Sequence, residues 1–162
     1  MSRKWVVNAS PLIALGKVSA IHLLETICLD LVVPEGVARE LEQGSADDRA
    51  RAWIRGKGAS SVRRVAEIPP LILSWDLGKG ETEVISWAYL NPSYDAILDD
   101  RAARNCAYSL GIGVRGTIGI ILLAKKEGAL PLVRPLLSQL TKSGFRISPE
   151  LLRAAYKLAG EE

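Results

Sequence analysis

The stretch at residues 94–101 constrains the fold most strongly, because a short apolar run ends there abruptly in two carboxylates. Residues 96–98 (Ala-Ile-Leu) are long enough for one buried strand, and Asp99 and Asp100 follow directly. A helical pattern comes next, with apolar residues on one stripe of residues 101–110. A strand, an acid pair and a helix in this order are typical of an α/β sheet whose chemistry lies at the carboxyl ends of its strands.

Short apolar segments alternate with helical patterns along the rest of the chain. Strands are predicted at residues 5–8, 27–33, 61–68 (at the sheet's edge), 96–98 and 111–115. Helices are predicted at residues 11–15, 20–25, 34–44, 46–55, 77–90, 101–110, 118–126, 131–143 and 148–158. This alternation predicts an α/β fold, with helices on both faces of a central, mostly parallel sheet. We find no internal repeat or linker, so we expect one domain over residues 1–162, with the helices at about 130–160 packing on it.

Composition excludes several classes of protein. The chain has 162 residues, of which 48% are hydrophobic, which argues against disorder. It has no apolar run near the roughly 20 residues that span a bilayer and no long apolar segment of a signal peptide, so we expect a cytoplasmic protein with no membrane partner. His22 is the only histidine, and the two cysteines are isolated, so a zinc site or a histidine-based triad has little to build on. The net charge of +3 is compatible with a nucleic-acid partner.

Two further acids belong to predicted helices. Glu40 follows Val37 by three residues and precedes Leu41, which places it on the apolar face of its helix. Such an acid needs a cation or a charged partner; alternatively, it lies at the edge of the stripe and meets an arginine. Glu81 shares a stripe with apolar residues and is predicted to face the sheet, whereas Glu83 is predicted to face away. Alternatively, Glu81 is a first-turn acid favoured by the helix dipole.

The acid pair also has two interpretations. Adjacent carboxylates repel each other unless a cation lies between them. Alternatively, Asp100 caps the helix that follows and Asp99 is solvated. Convergence of oxygen ligands from separate elements favours Mg²⁺ or Mn²⁺, an ion that can activate water for attack on a phosphodiester. The ligands predicted to converge are Asn8, Glu40, Glu81, Asp99 and Asp100.

In their order and spacing, several segments resemble those of the PIN-domain ribonucleases. The matching segments are residues 6–13 (VVNASPLI), 33–41 (VPEGVAREL), 78–85 (GKGETEVI) and 97–104 (ILDDRAAR). Residues 116–125 (GTIGIILLAK) and 144–148 (GFRIS) resemble one prokaryotic branch of that family. The resemblance covers nearly the whole chain.

The resemblance implies a three-layer α/β/α sandwich and a Mg²⁺- or Mn²⁺-dependent endoribonuclease. Glu40 matches the family's second acid and Glu81 the third, while Asp100, with Asp99 beside it, matches the fourth. Many relatives are VapC-type toxins of toxin–antitoxin pairs, so the resemblance also implies a homodimer and a small antitoxin partner that covers the active site.

One position departs from the family's pattern. The first metal ligand of the family is an aspartate, and here that position is Asn8, which can ligate through its carbonyl oxygen but brings no charge. Ser10 matches the family's serine and is expected to hold a ligand or a water. Arg101, Arg104, Lys79 and Arg115 are candidates for phosphate binding, with solvated surface charges as the alternative.

Two competing functions follow from these patterns. The first is a catalytically weakened PIN-like module that binds RNA or a protein partner without cutting, which Asn8 favours. The second is a nucleotide-binding, doubly wound domain, which lacks the glycine fingerprint after the first strand.

Overall fold

A computed structural model describes residues 3–162 and places a parallel five-stranded sheet at the centre of the molecule. The strands are β1 (Lys4–Val7), β2 (Asp30–Pro34), β3 (Val62–Arg63), β4 (Tyr94–Ile97) and β5 (Val114–Arg115). Their order in the sheet is β3-β2-β1-β4-β5, and every neighbouring pair is parallel. The predicted parallel sheet is therefore confirmed.

Helices flank this sheet and complete the predicted three-layer α/β/α architecture. They are α1 (Ala9–Lys17), α2 (His22–Ile27), α3 (Glu35–Glu42), α4 (Arg49–Arg55), a 3-10 helix (Lys57–Ser61), α5 (Pro70–Leu73), α6 (Lys79–Leu90), α7 (Arg101–Ser109), α8 (Thr117–Lys126), α9 (Arg134–Lys142) and α10 (Pro149–Ala159). Helix α6 contacts β1, β2, β4 and α7, while α8 contacts α1, α2 and α10. Over residues 3–162, no helix is both long and apolar enough to cross a membrane.

The central strands are apolar because they are covered on both faces. Trp5, Val6 and Val7 of β1 are fully buried, as are Ala96 and Ile97 of β4. Strands buried on both sides are typically continuous apolar runs rather than alternating ones. This explains why the first and fourth strands were recognisable in the sequence.

The chain reverses its direction across the sheet between β1 and β4. It moves outward from β1 through β2 to β3, then returns to the other side of β1 as β4 and continues to β5. Val7 is aligned with Ile97, and the backbone N–H of Asn8 donates to the Ile97 carbonyl at 3.1 Å. In open parallel sheets, ligands bind outside the carboxyl ends of the strands at such a switch point. Asn8 and the acid pair after β4 lie there.

Three predicted strands have boundaries wrong by at least three residues, and one of them, predicted at 111–115, is limited to Val114–Arg115. The predicted strand 27–33 begins only at Asp30, because Ile27 is the buried last residue of α2; a short apolar run does not distinguish a strand from the end of a helix. The predicted strand 61–68 is limited to Val62–Arg63, since only these two residues pair with β2. Its predicted place at the edge of the sheet is confirmed.

Candidate active site

Asn8 is the buried centre of the candidate site. It follows β1 directly and is 3% exposed. No described group donates a hydrogen bond to its side-chain oxygen Oδ1, although that atom is buried. Leaving a buried acceptor unsatisfied costs about 1–3 kcal/mol. The oxygen therefore has the environment of a ligand for a cation or a bound water.

A glycine in α6 makes room for two oxygens that come from different elements. A Cβ atom at Gly80 would lie 3.1 Å from Asn8 Oδ1 and 3.4 Å from Glu40 Oε1. Both oxygens thus border the same gap above the first turn of α6. A side chain at position 80 would fill this gap, so glycine keeps it open.

Glu81 places a second carboxylate near that of Glu40. Both of its carboxylate oxygens lie 3.2 Å from a Cβ position at Gly78, so the side chain turns back over the start of α6. Desolvation raises the pKa of Glu40, and the negative charge of Glu81 raises it further. The two carboxylates are close enough to repel each other, and a cation between them would relieve that repulsion.

The predicted face of Glu40 is right, but its burial is not. Val37 and Leu41 are buried as expected, whereas Glu40 is exposed. The reason is that this stripe of α3 extends past the core into the open gap beside Gly80.

The predicted orientation of Glu83 is wrong. Glu83 is 8% exposed, and its Oε1 accepts a hydrogen bond from the backbone N–H of Gly36 at 2.9 Å. It therefore faces the first turn of α3, where a carboxylate is favoured by the helix dipole. Glu83 joins α6 to α3 beside the candidate site, and the sequence pattern did not reveal it.

Asp99 is fixed by Thr117, a residue that the sequence did not single out. Its Oδ1 accepts from the backbone N–H of Thr117 at 2.8 Å, and its Oδ2 accepts from the Thr117 hydroxyl at 2.5 Å. Thr117 is fully buried at the start of α8. A Cβ atom at Gly116 would lie 2.9 Å from Asp99 Oδ1, so glycine permits this approach. A Gly-Thr pair between a strand and a helix was the available signal.

The alternative interpretation of the acid pair is half right. Asp100 is exposed and caps α7, with its Oδ2 accepting from the backbone N–H of Ala103 at 3.0 Å. Asp99, in contrast, is half-buried and held by Thr117 rather than merely solvated. The two acids therefore have different roles in the structure.

The predicted residues that remain are Ser10, Arg104 and Arg101. Ser10 and Asp99 line a pocket of about 340 Å³. Arg104 donates to the Leu98 carbonyl at 2.9 Å and to the Tyr108 hydroxyl at 3.0 Å. Arg101 is exposed.

These contacts divide four of the five predicted ligands into two groups, whereas the fifth, Asp100, caps α7. Asn8 and Glu40 border the gap at Gly80, and Glu81 is close enough to Glu40 to raise its pKa. Asp99 instead belongs to the pocket with Ser10. Among residues 3–162, no group of three or more His, Cys, Asp or Glu side chains could hold a metal ion. The first group reaches three oxygen donors only because Asn8 contributes a neutral one. One or two carboxylates with further oxygen donors and waters fit Mg²⁺, so these three residues are the ones that could hold it.

Comparison with known proteins agrees with the fold. A family model described as DUF3368: PIN domain matches residues 4–161. No curated protein matches the chain. PIN domains are typically nucleases and generally use divalent metal ions. With nearly its whole length matched, this chain belongs to the PIN-domain family.

Proposed function

We propose that this protein is a metal-dependent endoribonuclease that hydrolyses phosphodiester bonds of RNA. The observation that carries the proposal is the unpaired Oδ1 of Asn8, which borders the same gap as the Glu40 carboxylate at the β1–β4 switch point. A buried oxygen without a donor, beside two carboxylates that repel each other, favours a bound cation. Membership of a typically nucleolytic family supports the same chemistry.

Each residue has a distinct part in this proposal. Asn8, Glu40 and Glu81 hold Mg²⁺ or Mn²⁺. When bound, such an ion lowers the pKa of water and stabilises the charge that develops on the phosphate. Asp99 presents a fixed carboxylate to the pocket, because both of its oxygens accept hydrogen bonds from Thr117 and each keeps a further lone pair. Asp100 caps α7 and so fixes the helix that carries Arg101 and Arg104.

We also propose a biological setting. The segments at residues 116–125 and 144–148 resemble one prokaryotic branch of the family, and many relatives are VapC-type toxins, so we favour a cytoplasmic toxin of a type II toxin–antitoxin pair. In that setting the protein forms a homodimer, and a small antitoxin covers the site. Growth arrest on induction of the protein, absent for a Glu40→Gln variant, would support the toxin role; arrest with both forms would contradict it.

The absence of charge on Asn8 favours a second candidate function. A site with two carboxylates and one amide binds a hard cation more weakly than one with a third acid. The alternative is a PIN-like module that binds RNA or a protein without cutting it. Binding of RNA without cleavage in either Mg²⁺ or Mn²⁺ would favour this alternative.

A cleavage assay with matched variants tests the main proposal. Single-stranded RNA is incubated with purified protein in Mg²⁺, Mn²⁺ or EDTA. Glu40→Gln should lower cleavage by at least about 10–100-fold, the loss known for residues that only support metal ligands. Glu42→Gln on the same helix is the control, since Glu42 pairs with Arg55 at the surface. Equal cleavage by the wild type and Glu40→Gln would identify a contaminating nuclease and refute the proposal.

A further inference from the structure

Two pockets share Asp99 and Phe145 in their linings. The smaller has a volume of about 340 Å³ and is lined by Ser10, Lys17, Asp99 and Phe145, among others. The larger, of about 650 Å³, is also lined by Asp99 and Phe145 but lies on the side of β5 and α8. Both volumes lie within the roughly 300–1,000 Å³ typical of ligand sites. Because they share these two lining residues, the two pockets are adjacent.

Basic side chains outnumber acidic ones in the lining of the larger pocket. Arg104, Arg115 and Arg146 line it, and Asp99 is its one acid among the described residues. Arg115 and Arg146 form no ion pair with any side chain of residues 3–162. Unpaired guanidinium groups around a concave surface attract phosphates and can bind them in a bidentate manner. The pocket therefore has the charge of a site for a phosphate backbone.

Phe145 stands at the border of the two pockets. It is the only phenylalanine in the chain and is half-buried. It follows Gly144, whose φ of +103° turns the backbone after α9, and its N–H donates to the Leu140 carbonyl at 3.1 Å. An anchored aromatic ring beside cationic side chains is the combination that binds single-stranded nucleic acids by stacking.

We infer that these pockets form a track for single-stranded RNA that crosses Asp99. Phosphates of the strand bind Arg115 and Arg146 in the larger pocket and Lys17 in the smaller, and one unpaired base stacks on Phe145. A base in a duplex is stacked between its neighbours and cannot reach such a ring, so the track selects single strands. The inference rests on the proposed function, because it positions the RNA relative to that site.

Binding measured without metal tests the track separately from cleavage. A fluorescein-labelled single-stranded RNA of about 10 nucleotides, within the range bound by comparable surfaces, is titrated in EDTA at several salt concentrations. Each phosphate contact to a single strand contributes about 0.7 to the slope of log affinity against log salt. The double variant Arg115→Ala/Arg146→Ala should reduce that slope by about 1.4. Phe145→Leu should weaken binding by about 5–150-fold with little change in slope.

Controls make the outcomes distinct. Arg153→Ala removes an exposed arginine of α10 outside both pockets and should leave affinity and slope unchanged. Circular dichroism checks that each variant is folded. The track is wrong if the wild type does not bind at low salt, if a duplex competes equally well, or if the double variant keeps the wild-type slope. An effect of the arginines without one of Phe145 would also refute it, because the phosphates would then be bound without a stacked base.

The same data separate the track from the proposed function. Binding that changes as expected, without any metal-dependent cleavage, retains the track and rejects the nuclease. Metal-dependent cleavage with unchanged salt slopes retains the nuclease and rejects the track.

Discussion

Replacing Asn8 with aspartate tests whether position 8 is as buried, and the surrounding site as negative, as the structure indicates. Asn8 is 3% exposed, and its Oδ1 shares the gap at Gly80 with Glu40. Glu40 already has a pKa raised by desolvation and by the charge of Glu81. A third carboxyl at position 8 would meet the same desolvation and the same repulsion. Without a cation, we therefore expect it to stay protonated and to destabilise the fold.

The loss of stability has an upper bound, because the new carboxyl becomes neutral when it binds a proton. The ordinary pKa of an aspartate is about 3.9, and raising a pKa by one unit corresponds to about 1.36 kcal/mol. Keeping the carboxyl protonated at pH 7 therefore lowers the free energy of unfolding by at most about 4 kcal/mol. For a chain of this length, about 2–4 °C of Tm corresponds to each kcal/mol, which gives a decrease of up to about 8–16 °C. Because the folded pKa is raised, stability is fully retained below about pH 4 and is lost as the pH rises toward that folded pKa.

A divalent cation should reverse this loss. The ionised form adds a charged ligand, so Mg²⁺ at about 100 times its Kd would restore about 2.7 kcal/mol, or roughly 5–11 °C. Differential scanning calorimetry between pH 4.5 and 8, in EDTA and in Mg²⁺, measures both effects. Asn105→Asp, on the exposed side of α7, is the control and should follow the wild type. If Asn8→Asp melts at the same temperature as the wild type at pH 7 in EDTA, the new carboxyl is in water and the burial of position 8 is refuted.

Two further substitutions test the hydrogen bonds made by Thr117 and by Glu161. Thr117→Val removes the hydroxyl that donates to Asp99. Hydrogen bonds to charged groups are worth about 1.5–3 kcal/mol, so the Tm should fall by about 3–12 °C. The control Thr26→Val, at an exposed hydroxyl, should keep a Tm near that of the wild type, and equal decreases in both variants would contradict the buried contact. Burial opposes the ionisation of Glu161, but its bonds to Lys125 and to two backbone N–H groups lower its pKa to about 2. The stability that Glu161 contributes is therefore present above about pH 4.5 and lost as the pH falls through about 2, so Glu161→Gln should lower the Tm at pH 7 and much less at pH 2; a pH-independent difference would contradict this.

The parts of the fold that were predictable are those with a strong local signal. The first strand and the acid-ended fourth strand are apolar runs covered on both faces, and α8 lies within one residue of its predicted start. Parallel pairing followed from the alternation of strands and helices. Boundaries near Ile27 and in β3 were missed because they depend on pairing partners and on how α2 ends, which a single sequence does not encode locally.

The candidate site was predictable only in part, for a different reason. The helix phase placed Glu40 correctly relative to Val37, because one face of α3 is clearly apolar. The same reasoning failed for Glu83, because Thr82 to Ser86 are all buried and a helix covered on most sides has no single inner stripe. The pocket at Phe145 depends on where the segment after α9 packs against β5 and α8, and no periodicity in the sequence reports that.

The missing charge at Asn8 changes what the proposed enzyme needs from its substrate. Mg²⁺ is often held by one or two carboxylates together with waters and substrate phosphates. With Glu40 and Glu81 as the charged ligands, a phosphate of the bound RNA is expected to supply the negative charge that an aspartate supplies in relatives. Cation and RNA would then bind cooperatively, and linkage requires each to raise the affinity of the other by the same factor. Titrating Mn²⁺ with and without an uncleavable oligonucleotide measures that factor, and Asn8→Asp should reduce it toward one. An unchanged factor in that variant would mean that the charge at position 8 does not determine how the site retains its metal.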